Sequence, residues 1–337
     1  MVARWFSMVS LKNLIVRVLR NNHNTAVFAL TTQCNCKCVM CGMHKNPPKY
    51  MPFEDVKKVL RVLAENKFLI VYLTGGEPSL HPNIVDVVRF ADRLNLATSL
   101  TTNGTLPKNM LKALKDAGLR VLSISIDHWD SEICEKIRGV KGIKEKQEEA
   151  ILYARSIGLK TYALVYLNPY LILDGVEKIV EYVNFKLKVP VGFCYPTQAE
   201  INTFRLCGDF REERLSRKLG ESVKKIFLMK KQGYKIMNAG TYLEDLLGLT
   251  GEKPNFYCKG GENVVYIDWF GDVYPCFLRE KLFNILKDKP KFLKNVKCND
   301  CYINCFREPS LLPQAFKSPK LLIKEAVYAY RIKNMIF

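Results

Sequence analysis

Within eight residues, Cys34-Asn35-Cys36-Lys37-Cys38-Val39-Met40-Cys41, the chain sets thiols at C-x3-C-x2-C. Three thiolates at that spacing can each take one iron of a cubane four-iron cluster and leave the fourth iron without a protein ligand. A fully ligated cluster mainly carries electrons, whereas an open iron can bind and activate a small molecule. The fold must therefore present this loop where a ligand can reach it, with Cys34, Cys38 and Cys41 as the expected iron ligands and reactive centre. The competing readings are a zinc knuckle and a buried group of thiols. Structural zinc wants four ligands, often as two C-x2-C pairs, and the nearest fourth donors here are Cys36 and His44. Cys36 breaks the spacing and is read as packing beside the loop, its role left open.

A chain of 337 residues with 48% hydrophobic content is long enough to bury one large core with a small appended domain. Its 12 cysteines are not needed as disulfide staples, and their C-x2-C clustering points to metal in a reducing compartment, hence the cytoplasm. Lys and Arg outnumber Asp and Glu by 52 to 33, a net charge of +19. That excess favours contact with nucleic acid, an anionic membrane surface or acidic substrates, and a solvated basic surface explains it equally well.

No apolar run approaches the ~20 residues needed to cross a bilayer. Trp5 to Arg20 comes nearest, interrupted by Lys12, Arg17 and Arg20 and without the small-residue cleavage site of a signal peptide. Its aromatic start and basic remainder fit a helix lying on an anionic membrane, and Leu321-Phe337 repeats that character. Docking of both helices onto the domain itself is the alternative.

From Ala26-Thr32 onward the chain alternates between two periodicities. Strands fit Leu69-Leu73, Ala97-Thr101, Val121-Ile126, Lys160-Tyr166 and Val191-Tyr195. Helices fit Phe53-Glu65, Asn83-Leu94, Asn109-Ala117, Lys144-Ile157 and Gly175-Phe185. Six strand-then-helix steps in about 160 residues imply an α/β fold with a parallel sheet, curved by right-handed crossovers into a partial or full barrel. Chemistry in such sheets sits in the loops after the strands, and the cysteine loop follows the first strand. Residues 205-235 break the alternation with a basic helical stretch, and from Asn255 the chain turns to Gly, aromatic and Cys residues. The expected organisation is an amphipathic N-terminal helix over 1-25 and a core over 26-250 with its basic extension after about 205. A cysteine-rich domain over 251-310 and an amphipathic helix over 311-337 complete it.

After the second strand comes Thr74-Gly75-Gly76-Glu77-Pro78. Paired glycines let the backbone approach a ligand closely, and the Glu77 carboxylate can accept a hydrogen bond from an ammonium. A tight turn capped by Pro78 explains the segment equally well. One strand after a C-x3-C-x2-C loop, however, the combination resembles the radical S-adenosylmethionine (SAM) superfamily, whose cysteine loop and GGEP segment occupy these successive positions. Thr101-Thr102-Asn103-Gly104, Ser123-Ile124-Ser125-Ile126-Asp127 and Arg138-Gly139 look like that family's TNG, SxD and RxG segments. The resemblance covers roughly residues 26 to 196 and implies a partial (β/α)6 TIM-like barrel. It also implies that Gly75, Gly76 and Glu77 hold the methionine amino group and that Ser125 and Arg138 face its carboxylate or the ribose. Asn103 would be a nearby polar support. Met40 stands where many members carry an aromatic residue against the adenine. The implied reaction is reductive cleavage of SAM to methionine and a 5'-deoxyadenosyl radical that abstracts hydrogen from an unactivated C–H bond. An electron donor such as ferredoxin or flavodoxin would drive it.

Near the C-terminus, Cys258, Cys276, Cys298, Cys301 and Cys305 place five thiols in 48 residues. Val264-Asp268, Gly271 and Val273-Pro275 read as a small hairpin that delivers Cys276. The region resembles the SPASM and twitch extensions of the same superfamily and departs from the seven-cysteine SPASM pattern, which implies one auxiliary four-iron cluster. Cys258, Cys276 and Cys305 with either Cys298 or Cys301 are the favoured ligands, and structural zinc is the main alternative. The expected substrate is a small molecule, a membrane isoprenoid or other lipid, with peripheral membrane contact. A ribosomally made peptide is the second reading. Nucleic-acid or tRNA modification and non-enzymatic electron transfer rank below both.

Overall fold

Strand β1 (Asn24–Ala29) begins a series in which each strand is followed by helix and returns parallel to its predecessor. The series runs α1 (Phe53–Glu65), β2 (Phe68–Thr74), α2 (Ile84–Arg93), β3 (Ala97–Thr102), α3 (Lys108–Asp116) and β4 (Val121–Ser125). It continues through α4 (Ser131–Arg138), α5 (Ile143–Ser156), β5 (Thr161–Tyr166), α6 (Pro169–Asp174), α7 (Val176–Glu181) and β6 (Val191–Cys194). The computed structural model describes residues 24–199, 206–207, 213–250 and 256–333. The 5–20 segment, with its expected helix, lies outside the described residues.

Strands β1 to β6 pair in chain order, every pair parallel, so the six-step alternation is realised as an open parallel sheet of the partial-barrel type. Its helices pack on one side: Ala26, Phe28 and Leu30 join Val56, Leu60 and Leu63 of α1 in the main core. The helices α4 and α6 were not anticipated. Both are short, and each is fixed by its N-cap: Asp130 accepts from the Ile133 amide at 3.1 Å, and Asn168 accepts from the Leu171 amide at 3.0 Å.

Beyond β6 come a two-stranded ribbon, β7 (Gln198–Ala199) with β8 (Leu206–Cys207), then α8 (Glu213–Gln232) and α9 (Gly240–Leu246). The expected hairpin is present as β9 (Val264–Ile267) and β10 (Asp272–Tyr274), turned at Asp268, whose Oδ1 accepts from the amides of Phe270 and Asp272 at 2.8 and 3.0 Å. Strand β9 pairs parallel with β1, and β11 (Phe283–Asn284) closes that edge, so the cysteine-rich region extends the core sheet to nine strands. Two helices finish the described chain, α10 (Asn304–Lys317) and α11 (Pro319–Lys333).

Helix α11 docks on the domain by one face. Glu325 accepts from the amides of Gly240 and Thr241 at 3.2 and 2.6 Å, and the Tyr328 hydroxyl donates to Glu244 at 2.6 Å. No helix among the described residues is long and apolar enough to cross a membrane.

Candidate functional site

The cysteine loop leaves the C-terminal end of β1 and is clamped from three sides. From β2, the Gly76 amide donates to the Thr31 carbonyl and the Glu77 amide to the Gln33 carbonyl, both at 2.7 Å. That approach is open only to glycine. A Cβ on Gly75 would lie 2.3 Å from the Thr31 carbonyl oxygen, and one on Gly76 would lie 2.3 Å from that of Gln33. From α4, the carbonyls of Arg138 and Ile137 accept from the amides of Lys37 and Val39 at 3.0 and 2.9 Å. The last turn of a helix offers such unpaired carbonyls, and here they hold the backbone on either side of Cys38.

The end of β3 supplies the third side. Asn103 Nδ2 donates to Asn35 Oδ1 at 2.7 Å and approaches the Cys36 sulfur at 3.2 Å. Its amide donates to Glu77 Oε2 at 2.7 Å, while Glu77 Oε1 accepts from the Ser79 amide at 3.0 Å and the Thr102 hydroxyl at 2.8 Å. Burial raises the Glu77 carboxyl above its usual range. Three donors on two oxygens leave one acceptor position, on Oε2.

The thiols are electrically unequal. Cys36 hydrogen-bonds both Cys34 and Cys38, which pushes its own thiol up and draws theirs down. Cys38 falls to about 6, with the Arg138 guanidinium as the next lowering influence. Arg138 Nη1 stands 3.6 Å from the Cys38 sulfur, while its Nε donates to Asp127 Oδ2 at 2.5 Å. Burial pushes Cys41 up to about 12. Thiolate is the form that binds iron, and the Arg138 guanidinium beside Cys38 favours that form there.

Asp127 is the functional residue that sequence reasoning named within a motif without giving it a role. Fully buried, it also accepts the Tyr166 amide at 3.1 Å, and it orients Arg138. The Ser-x-Asp spacing was the available signal. Ser125 is buried at the end of β4, with Leu164 as its cross-strand partner, and Met40 packs half-buried against the core beside the loop.

The second cysteine group is drawn from separate segments. Cys258 and Cys298 pair through their backbones, amide to carbonyl, at 2.9 and 3.3 Å. The thiols of Cys258, Cys298 and Cys301 all raise that of Cys276, which burial drives up to about 12. Cys305, on α10, is half-buried in the same cluster, and burial raises its thiol, with Cys194, Cys301 and Cys276 adding to the rise. Arg307, two residues on, is 1% exposed and ion-paired with the fully buried Asp245. Its guanidinium also donates to the carbonyl of Phe256 at 3.1 Å and to that of Cys301 at 3.5 Å.

Among the described residues, no three Cys, His, Asp or Glu side chains close on one point as a single metal ion requires. A cubane gives each thiolate its own iron, so its ligands stand farther apart. The soft, all-thiol donor sets suit iron–sulfur clusters, and the glycine cradle at the β2 end suits a ligand lying against backbone.

Between the sheet and the C-terminal helices lies a cavity of about 520 Å³. Its walls include Tyr72, Leu164 and Phe193 from the sheet, with Leu311, Leu312 and Ala315 from α10. Strand β4 contributes only Val121, its first residue, to the lining. The cavity's charged members are Arg120, Lys230, Glu308 and Glu325. Arg120 is paired with Asp92 at 2.5 Å, and Lys230 donates to the Ile236 carbonyl at 2.8 Å. Glu308 accepts from the Ala239 amide at 2.7 Å, and burial lifts its carboxyl to about 7.

Residues 28–183 match the family described as Radical SAM superfamily. A probable GTP 3',8-cyclase of Thermococcus kodakarensis is 30% identical over 157 residues, 44% of this chain and 50% of that protein. The probable GTP 3',8-cyclase of Methanococcus aeolicus is 23% identical over 300 residues, 85% of this chain and 97% of that protein. Against the first of these the chain spans about half the relative's length. Among solved structures, Streptococcus suis SuiB bound to S-adenosylmethionine superposes with a TM-score of 0.63 at 19% identity, over 82% of this chain and 68% of that one. A structure of anSMEcpe with AdoMet and a peptide gives 0.58 at 18% identity, over 78% of each chain.

Proposed function

We propose that the chain is a radical SAM enzyme that abstracts hydrogen from an unactivated C–H bond of a long apolar substrate held in the cavity beside the sheet. A four-iron cluster with an open iron and SAM, when bound, supply the one-electron cleavage that gives methionine and a 5'-deoxyadenosyl radical. Cys34, Cys38 and Cys41 are the proposed cluster ligands. Gly75 and Gly76 leave room for the methionine amino group against bare backbone, and the remaining lone pair of Glu77 Oε2 accepts from it. Arg138, held by Asp127, is the proposed partner of the methionine carboxylate. Asn103 keeps the loop and the Glu77 carboxylate in register, Ser125 faces the ribose and Met40 the adenine. In the C-terminal region, Cys258, Cys276, Cys298 and Cys301 are the proposed ligands of one auxiliary cluster. Cys305 packs in the same cluster as these four and is the alternative fourth ligand to Cys298 or Cys301.

The observation that carries the substrate reading is the cavity itself. Its walls are chiefly aliphatic and aromatic. Relatives named GTP 3',8-cyclase favour a nucleotide as the second reading. A triphosphate calls for a surplus of free cations. Here Arg120 is committed to Asp92, Lys230 to a carbonyl, and two carboxyls, Glu308 and Glu325, share the space. The test is anaerobic turnover with SAM, a low-potential reductant and either chain-deuterated isoprenoid lipid or deuterated GTP. Deuterium appearing in 5'-deoxyadenosine from the lipid supports the reading. Deuterium from GTP alone overturns it.

A further inference from the structure

Two walls of the cavity reach the surface. Phe316 at the end of α10 and Leu322 in the first turns of α11 both line it, yet they are 47% and 45% exposed. A residue that faces both the cavity and solvent marks where the cavity opens. Beside that opening, Ile323 is 63% and Val327 47% exposed. They stand four apart on α11, with Lys320 three residues before Ile323, so the three form one ridge. The opposite face of the helix is committed inward through Glu325 and Tyr328.

Apolar side chains exposed in a row at a cavity mouth cost solvation in water and gain it in a lipid interface. Charge decides what covers them. Of the four charged residues from Phe316 to Tyr328, Lys324 is paired with Glu244, and Glu325 accepts backbone amides. Lys317 and Lys320 are left exposed at the rim, both positive, in a chain of net charge +19. Basic residues beside an apolar ridge complement anionic headgroups above a hydrocarbon layer.

We propose that the α10–α11 corner docks on an anionic bilayer, with Ile323 and Val327 entering the interface and Lys317 and Lys320 pairing with headgroups, so that the cavity mouth opens onto lipid. This rests on the reading of the cavity as the substrate site. It adds the source of the substrate: a chain drawn from the membrane edge into the cavity without crossing water.

The test is sedimentation of the full-length holoenzyme with vesicles of mixed phosphatidylglycerol and phosphatidylcholine, and with phosphatidylcholine alone. Wild type is expected to partition to the anionic vesicles and to release with salt. Lys317→Gln and Lys320→Gln should each weaken partition roughly fivefold. The double variant Ile323→Asp, Val327→Asp should lower it on the order of tenfold or more, with circular dichroism unchanged. All these variants should keep 5'-deoxyadenosine formation on detergent-dispersed lipid. Unaltered vesicle binding by the Ile323→Asp, Val327→Asp variant overturns the proposal. So does a wild-type dimer in solution that this variant converts to monomer, since a second copy would then be the cover. Turnover of dispersed lipid without vesicle partition sinks the docking alone. Partition without deuterium transfer from any lipid sinks the substrate reading and leaves the docking standing.

Discussion

The two cysteine groups solve the same problem in opposite ways. In the N-terminal group three spaced thiols lie on one eight-residue loop, and the fold's work is to hold that loop still through β2, β3 and α4. In the C-terminal group the thiols come from segments spread over 48 residues, and the fold's work is to bring them together through a hairpin, a two-residue bridge and a buried Arg307–Asp245 pair. A contiguous loop can spare a ligand and still keep its geometry, which an open iron demands. A scattered group depends on tertiary structure for its very existence, as a closed electron-carrying site can.

That contrast can be broken at several points. Asp245→Ala strands the Arg307 guanidinium in the core, and removing one partner of such a pair costs about 3–5 kcal/mol. The expected result is a lowered thermal midpoint and loss of C-terminal iron, with the N-terminal loop retaining its own. Equal loss of iron from both sites would show that the two are not independent. Gly76→Ala drives a Cβ into the Gln33 carbonyl and displaces the loop, so SAM cleavage should fall about 100-fold. Iron counting should show the C-terminal complement intact.

Glu308 gives a pH test. Its carboxyl titrates at about 7 in the folded chain against 4.5 for the free group, raised chiefly by burial, with Lys230 and Glu325 facing it. The folded state therefore holds the proton longer. Stability should fall by about 3 kcal/mol as pH rises from about 4.5 to 7 and level off above. Glu308→Gln removes that slope in denaturant titrations, and a retained slope would place the titrating group elsewhere. The smallest effect is expected at Asp127→Asn. Loosening Arg138 should raise the KM for SAM roughly tenfold with kcat nearly kept, whereas a fall in kcat alone would separate Arg138 from SAM binding.

Much of the N-terminal site was legible because its parts fall at strand ends, and alternating periodicity locates those ends to within a residue or two. The glycines, Asn103 and Arg138 are brought to the loop as their positions implied. What the sequence hid is long-range. Nothing local marks β9 as a parallel partner of β1, since both are short apolar runs with more than 200 residues between them. Cys36 resisted assignment because its meaning depends on thiols that only the folded loop places beside it. Choosing among the C-terminal thiols is hard on the same ground: the five are equivalent along the chain, and only the fold packs them into one cluster. The buried Arg307 read as one more basic residue in a basic chain.

The division of labour between the two groups is the central claim, and 5'-deoxyadenosine formation by the anaerobically reconstituted chain tests it most directly, in wild type, Cys38→Ala and Cys276→Ala. The account predicts about eight irons per wild-type chain, no cleavage product from Cys38→Ala, and continued reductive cleavage by Cys276→Ala. Product from Cys38→Ala and none from Cys276→Ala would contradict it.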